Sequence, residues 1–219
     1  MKNFSISVKK KINHFNESIY VEGDKSISHR ALLIASQSHG GISKISGLLE
    51  SEDILNCVKA LRQLGVKIIK KKNEHWIFGN GLGSFRIKNN ATINCGNAGT
   101  LARLIMGCLS SYPIKIKIVG DKSLSKRPME RIIKPLEKFG CRFYPKNKKN
   151  LPIVMQGTDF PAPIKHVEKI GSAQVKSAIQ FAALNTPGIT KIIEVKKSRD
   201  HTENLLKFIG VKIKVNKKK

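Results

Sequence analysis

The sequence predicts an α/β fold made of three repeated βαβαββ units around a pseudo-threefold axis. The first observation is a segment that occurs three times: leucine, three residues, glycine, an apolar residue or cysteine, a basic residue and a second apolar residue. Its glycines, Gly65, Gly140 and Gly210, are 75 and then 70 residues apart. The second observation is that a helical pattern precedes each glycine. This spacing is too long for a common solenoid and fits repeated supersecondary units.

The first unit begins at Gly23. Before it, residues 5–8 and 18–21 are predicted as two short strands, with no further strands nearby to complete a sheet. Apolar residues at helical spacing predict helices over residues 26–36 and 53–64. Strands are predicted over residues 42–45, directly after Gly65, and over 75–78.

The second and third units repeat this order. Helices are predicted over residues 97–110, 129–139, 172–184 and 201–209, and strands over 114–119, 151–155 and 189–195. The third unit lacks a final strand matching residues 75–78 and 151–155. Either that strand is dispensable or the chain is a fragment.

Residues 96–103, Gly-Asn-Ala-Gly-Thr-Leu-Ala-Arg, place small residues, a hydroxyl and a guanidinium at the start of a helix. A helix start has unpaired N–H groups and the positive end of the helix dipole, so it favours anions. A structural alternative is that Asn97 or Thr100 only caps the helix. The first helices of the other units also begin with small and polar residues, and we expect the three starts to converge on one face.

The composition excludes several classes of protein. No apolar run approaches the ~18 residues that a membrane span requires, and residues 1–11 have no apolar signal region, so we expect a cytoplasmic location. The four cysteines are widely spread and predict neither a zinc site nor a disulfide framework. We expect them to be reduced and mostly buried, and we expect no metal or cofactor.

The formal net charge of +26 raises the alternative of a nucleic-acid-binding protein. The basic residues are mostly scattered lysines, with few aromatic residues among them. This distribution indicates solvated lysine-rich faces rather than a nucleic-acid interface. A positive field also attracts phosphorylated metabolites.

Four ordered motifs resemble the 5-enolpyruvylshikimate-3-phosphate (EPSP) synthase family. They are Gly-Asp-Lys-Ser-Ile-Ser-His-Arg at 23–30, Gly-Asn-Ala-Gly-Thr at 96–100 with Arg103, Lys-Arg-Pro-Met at 126–129, and Ser-Ala-Gln-Val-Lys-Ser-Ala at 172–178. The resemblance covers nearly the whole chain but only the first half of such an enzyme. It implies the enolpyruvyl transferase fold, an inside-out α/β barrel with two similar domains and the site between them. Residues 22–219 would form one substrate-binding domain without its last strand, and residues 1–21 would be leading strands of the absent partner domain.

The implied reaction transfers the enolpyruvyl group of phosphoenolpyruvate to the 5-hydroxyl of shikimate 3-phosphate and releases phosphate, a step of aromatic amino acid biosynthesis. By resemblance, Lys25 would contact both substrates and is the candidate catalytic residue. The other candidate binding residues are Ser26 and Arg30 for shikimate 3-phosphate; Asn97, Gly99, Thr100 and Arg127 for phosphoenolpyruvate; and Ser172, Ala173, Gln174 and Arg199 for the shikimate side, with Gln174 reaching both. Ala173 stands where some family members have serine. As alternatives to a binding role, Ser172 could only cap the helix, and Arg199 could be only a charged loop residue.

In this family the proton-transferring carboxylate and several basic residues come from the second domain. We therefore expect this chain alone to bind shikimate 3-phosphate weakly at best, without turnover, and to need that domain in cis or in trans. An alternative within the fold is the enolpyruvyl transferase acting on UDP-N-acetylglucosamine. That enzyme carries a reactive cysteine in the loop corresponding to residues 120–127, where this chain has none. A non-catalytic basic fragment that binds polyanions is the other alternative.

Overall fold

The computed structural model describes residues 5, 7, 9, 14, 16 and 18–216. The six α-helices of this part are α1 Lys25–Ser36, α2 Glu52–Gln63, α3 Gly99–Cys108, α4 Glu130–Lys138, α5 Ala173–Leu184 and α6 His201–Phe208. Its strands are β1 Ile42–Ser46, β2 Lys67–Lys71, β3 Glu74–Phe78, β4 Ala91–Asn94, β5 Lys115–Val119, β6 Arg142–Tyr144, β7 Ile153–Gln156, β8 Lys165–Glu168 and β9 Lys191–Glu194. The helices and strands predicted by residue range from residue 26 onwards are present, with ends shifted by at most two residues.

The strands form three separate sheets, one for each unit, with orders β1-β3-β2, β4-β5-β7-β6 and β8-β9. Unit one spans α1 to β3, unit two β4 to β7, and unit three β8 to α6. The sequence patterns did not predict β4 and β8, which open units two and three and pair in parallel with β5 and β9. These strands are short, and only their pairing with a neighbour distinguishes them from loops. The predicted α/β fold of three repeated units is confirmed.

The assignment of residues 18–21 to a leading strand of a partner domain stays a prediction. These residues have no strand conformation in the structure, and Tyr20 and Val21 are 97% and 87% exposed. A strand needs a hydrogen-bonded neighbour, and this segment has none in the described part of the chain. Of the strand predicted at residues 5–8, Ser5 and Ser7 are not in a strand, and the other two positions lie outside the described residues.

The repeated glycine segment is a helix-ending motif. Gly65, Gly140 and Gly210 have φ of +84°, +108° and +86°, in the left-handed region that favours glycine. In each copy the N–H of the residue after the glycine donates to the carbonyl oxygen of the leucine five positions earlier. This is the Schellman arrangement, in which that leucine and the apolar residue after the glycine commonly pack together. The chemistry of the motif therefore explains why leucine, glycine and an apolar residue recur at this spacing.

The core lies among the helices, and the sheets surround it. Helices α3 and α5 are buried on nearly all sides and pack against each other, and α1 packs against α3. Helices α3 and α5 approach closely at Gly107, where an added Cβ would lie 2.9 Å from the Cα of Ala178. Because the first helices of the three units form the centre, their N-terminal ends are held at one end of the molecule.

The longest helices of the described part have twelve residues, fewer than the ~20 that are needed to cross a bilayer.

Candidate substrate-binding site

The N-termini of α1, α3 and α5 are joined by direct side-chain contacts. Gln174 Nε2 donates to the hydroxyl of Thr100 over 2.9 Å, which links α5 to α3. Arg30 Nη2 donates to the carbonyl oxygen of Ala173 over 3.4 Å, which links α1 to α5. The three helix starts therefore converge, as the repeat predicted.

The three helix starts differ in how they are capped. Asp24 accepts from the N–H of Ile27 on α1, and Ser172 accepts from the N–H of Val175 on α5 over 3.4 Å. Helix α3 has no side-chain cap among the described residues, because Asn97 and Thr100 bond elsewhere. The N–H of Gly99 donates to the carbonyl oxygen of Asn97 over 2.8 Å, so the N–H groups of Thr100 and Leu101 are the ones that remain available to an anion in the described part of the chain.

Lys25 lies at the exposed edge of the site. Its Nζ forms an ion pair with Asp53 Oδ2 over 2.9 Å, and 55% of its side chain is exposed. Asp53 belongs to the first turn of α2, where the sequence pattern predicts only the start of a helix. The carboxylate holds the ammonium at the site while leaving it accessible to a ligand.

Arg30 is buried beneath the same surface. Its Nε donates to Thr202 Oγ1 and its Nη2 to Ser177 Oγ, both over 2.7 Å, and Nη1 donates to the carbonyl oxygen of Ser26. The pKa of Arg30 is lowered to about 10, first by burial and then by the positive charge of Arg199. An anion between these guanidiniums would offset both effects.

Arg199 faces the same region from the loop before α6. Its Nη1 donates to Ser26 Oγ over 3.3 Å. An open cavity of about 560 Å³ lies beside it, lined by Gly171, Ala173 and residues 197–200. Arg199 is therefore more than an isolated loop charge, because it contacts the start of α1 and borders a cavity.

A second basic cluster surrounds the start of α3. Arg127 Nη2 donates to Asn97 Oδ1, and Asn97 Nδ2 donates to Asp121 Oδ2, both over 2.9 Å. An added Cβ at Gly99 would lie 2.7 Å from Arg103 Nη1 and 3.2 Å from Arg127 Nη1. Burial lowers the pKa of Arg103, and the charges of Arg127 and Arg131 lower it further. This cluster also has excess positive charge that an anion would neutralise.

The structure brings together the eleven residues that the resemblance predicted, namely Lys25, Ser26, Arg30, Asn97, Gly99, Thr100, Arg127, Ser172, Ala173, Gln174 and Arg199. Their assignment to particular substrates stays a prediction. No sequence signal assigned a binding role to Asp53, Ser177 or Thr202, which hold Lys25 and Arg30. The position of Arg103 one helical turn after Gly99 indicates a place in the site, although Arg103 is not among the eleven predicted residues.

All four cysteines are free and buried, as expected. Cys95, directly before the Gly96 loop, is fully buried, and burial raises its pKa to about 12. It is therefore a protonated thiol at neutral pH and no nucleophile.

His29 is fully buried next to the site and gives a testable pH dependence. Its Nδ1 contacts the carbonyl oxygen of Lys25 over 2.9 Å, and its Nε2 has no hydrogen-bond partner in the described part of the chain. Burial is the main cause that lowers the pKa of His29, and it outweighs the hydrogen bond to the Lys25 carbonyl and the charge of Asp53, which raise the pKa. The charges of Lys25 and Arg30 lower it slightly further. Below the ordinary value of 6.5 the unfolded chain gains a proton that the folded chain does not bind.

We therefore expect the free energy of unfolding to decrease as the pH falls from about 7 to 5, and His29→Gln to reduce this slope. Urea unfolding at a series of pH values measures it. His39→Gln, at an exposed position, is the control and should keep the wild-type slope. Equal slopes for wild type and His29→Gln would contradict the assignment.

The fold and the two basic clusters define a domain of the enolpyruvyl transferase class. The sequence model described as EPSP synthase (3-phosphoshikimate 1-carboxyvinyltransferase) matches residues 9–219, and the chain belongs to this family.

Similar proteins agree with this assignment. A 3-phosphoshikimate 1-carboxyvinyltransferase of Zymomonas mobilis is 44% identical over 95% of this chain and 46% of its own length. The Paracoccus denitrificans protein of the same name is 43% identical over 88% of the chain and 43% of its own length. A solved EPSP synthase structure from Acinetobacter baumannii has a TM-score of 0.83 and 38% identity, covering 90% of this chain and 44% of that one. The chain spans somewhat less than half the length of these relatives.

Proposed function

We propose that this chain supplies one half of a site that transfers the enolpyruvyl group of phosphoenolpyruvate to the 5-hydroxyl of shikimate 3-phosphate. The observation that carries the proposal is the pair of basic clusters, around Arg30 and around Arg127, joined by the Gln174–Thr100 hydrogen bond. Both substrates are phosphorylated, and two adjoining sites with excess positive charge suit two such anions. Family membership and the names of the relatives favour this reaction over the one on UDP-N-acetylglucosamine.

Each cluster suits one substrate. Arg30, Arg199 and Ser26 would bind shikimate 3-phosphate beside Ser172 and Ala173. Arg127, Gly99 and Asn97 would hold phosphoenolpyruvate, together with the N–H groups of Thr100 and Leu101 in the first turn of α3. Gln174 and Lys25 would contact both substrates.

The chemistry proceeds by addition and elimination. The 5-hydroxyl gives up its proton as its oxygen forms a bond to C2 of phosphoenolpyruvate, and a proton adds to C3. Phosphate then leaves from C2 with the C2–O electron pair, and C3 loses a proton to restore the double bond. The basic residues would bind and orient the phosphates, and Lys25 is positioned to stabilise charge between the two substrates.

We further propose that residues 22–219 form one domain and that residues 1–21 associate with a second domain. The carboxylate that transfers the proton would belong to that second domain, which would be supplied either by the same chain or by a separate one. The coverage of the relatives supports this division. The cytoplasm remains the proposed location, from the composition of the sequence.

An NMR titration of the ¹⁵N-labelled chain with each substrate tests the assignment, because it detects binding that is too weak for calorimetry. We expect Arg127→Ala to weaken phosphoenolpyruvate binding by at least about tenfold, since a charge-assisted contact to phosphate is lost. Binding of shikimate 3-phosphate should change little.

Arg142→Ala is the matched control, because it removes an exposed arginine from β6 and the same charge. If Arg127→Ala and Arg142→Ala bind phosphoenolpyruvate equally well, the role of Arg127 is wrong. If wild type binds neither substrate in the titration, the proposed site is wrong for this chain.

A further inference from the structure

Lys176 is a buried cation of α5 with two carboxylate partners. Its Nζ lies 2.6 Å from Glu203 Oε1 and 3.0 Å from Glu194 Oε2, and only 3% of its side chain is exposed. Removing an ammonium from water is unfavourable unless it is paired. We call Lys176, Glu194 and Glu203 the Lys176 cluster.

Glu194 connects this cluster to the loop that carries Arg199. Its Oε1 accepts from the backbone N–H of Ser198 over 3.1 Å and from the Ser198 hydroxyl, while Oε2 faces Lys176. Burial raises the pKa of Glu194, but the hydrogen bonds from Ser198 and Lys176 outweigh it and leave the pKa lowered. Glu194 is therefore an ionised link between Lys176 and the residue directly before Arg199.

Glu203 connects the cluster to Arg30. It lies in the first turn of α6, next to Thr202, whose hydroxyl accepts from Arg30 Nε. Arg30 and Arg199 approach the site from different elements and repel each other. Their positions therefore depend on the anchoring of the loop and of the α6 start, and both are anchored on Lys176.

We infer that Lys176 is a positioning residue, which holds Arg199 through Glu194 and Ser198, and Arg30 through Glu203 and Thr202, in the geometry that binds a phosphorylated substrate. The cluster and the residues it holds lie on α1 and unit three, whereas Arg127 and Asn97 belong to unit two. The inference rests on the proposed function, and it specifies the shikimate 3-phosphate side as the one that Lys176 controls.

The test compares Lys176→Met, Lys176→Arg and Glu194→Gln with wild type in the NMR titration. We expect Lys176→Met to weaken shikimate 3-phosphate binding by about tenfold, because misplaced binding groups lose much of their effect, and to leave phosphoenolpyruvate binding unchanged. Lys176→Arg should restore most of the affinity, since it keeps the charge. Lys134→Met, which removes an exposed lysine paired with Glu130, is the matched control and should bind as wild type does.

Hydrogen exchange of the Ser198 amide gives a readout that does not depend on a ligand. We expect faster exchange in Lys176→Met and Glu194→Gln, with wild-type exchange in Lys134→Met. If Lys176→Met does not fold, Glu194→Gln decides, because Glu194 is partly exposed and its replacement keeps a similar shape. If wild type binds no shikimate 3-phosphate, the proposed function fails. The Ser198 exchange then tests the anchoring alone. Exchange as slow in the two variants as in wild type would overturn the inference, and faster exchange would support it.

Equal affinity for shikimate 3-phosphate in wild type and in a folded Lys176→Met would overturn the inference without affecting the proposed function. A loss of affinity for both substrates would also overturn it, because it would indicate general loosening of the domain.

Discussion

Replacing Gly107 by alanine is expected to lower the free energy of unfolding by about 3 kcal/mol, near the upper end for overpacked cores. An added Cβ would lie 2.9 Å from both the Cα and the carbonyl carbon of Ala178, and closer still to its oxygen. These are backbone atoms of α5, which cannot rotate away as a side chain would. Without this contact, alanine would stabilise a helix interior by about 1 kcal/mol relative to glycine. A decrease in the free energy of unfolding would therefore come from the packing of α3 against α5.

Urea unfolding measures this difference, and Gly41→Ala is its control. In the described part of the chain an added Cβ at Gly41 would meet no atom within 4 Å, so stability should change little. Separation of α3 from α5 would also lengthen the contact between Thr100 and Gln174. Because both residues belong to the proposed substrate site, Gly107→Ala should weaken binding of phosphoenolpyruvate and of shikimate 3-phosphate. Equal stability of the two variants would show that α3 and α5 do not pack closely at Gly107.

Replacing Arg30 by methionine is expected to weaken shikimate 3-phosphate binding by about a hundredfold, since losing one partner of a buried charged contact costs about 2–5 kcal/mol. We expect stability to change by no more than about 1 kcal/mol, because removing Arg30 breaks no ion pair in the described part of the chain and removes the cost of burying its charge next to Arg199. The hydroxyls of Ser177 and Thr202 bond to each other over 2.7 Å and remain paired without Arg30. Methionine also fills much of the same space.

NMR titration and urea unfolding together separate the two effects, and Arg142→Met is the control for loss of one arginine at an exposed site. A large loss of stability with unchanged affinity in the folded fraction would show that Arg30 is structural only. Arg30→Lys should bind with intermediate affinity, because it keeps the charge but not the planar fork of donors.

Much of the fold could be predicted because its signals are local. The leucine, glycine and apolar residue of each repeat act within six positions of the chain, so the motif alone marked three helix ends. The helices before these glycines follow from apolar spacing within single turns. The missed strands β4 and β8 show the limit of such signals, because a strand exists only where a neighbour pairs with it.

The candidate site could be predicted as a set of motifs, but not as a geometry. The sequence by itself determined which residues carry anion-binding chemistry, and that three helix starts would offer it. Only the tertiary structure decided that Arg30 is buried against Thr202, 172 positions away, that Lys25 pairs with Asp53, and that Lys176 pairs with Glu194. These contacts depend on how three units pack around their central helices, and burial of a charge becomes favourable only after that packing has placed its partners.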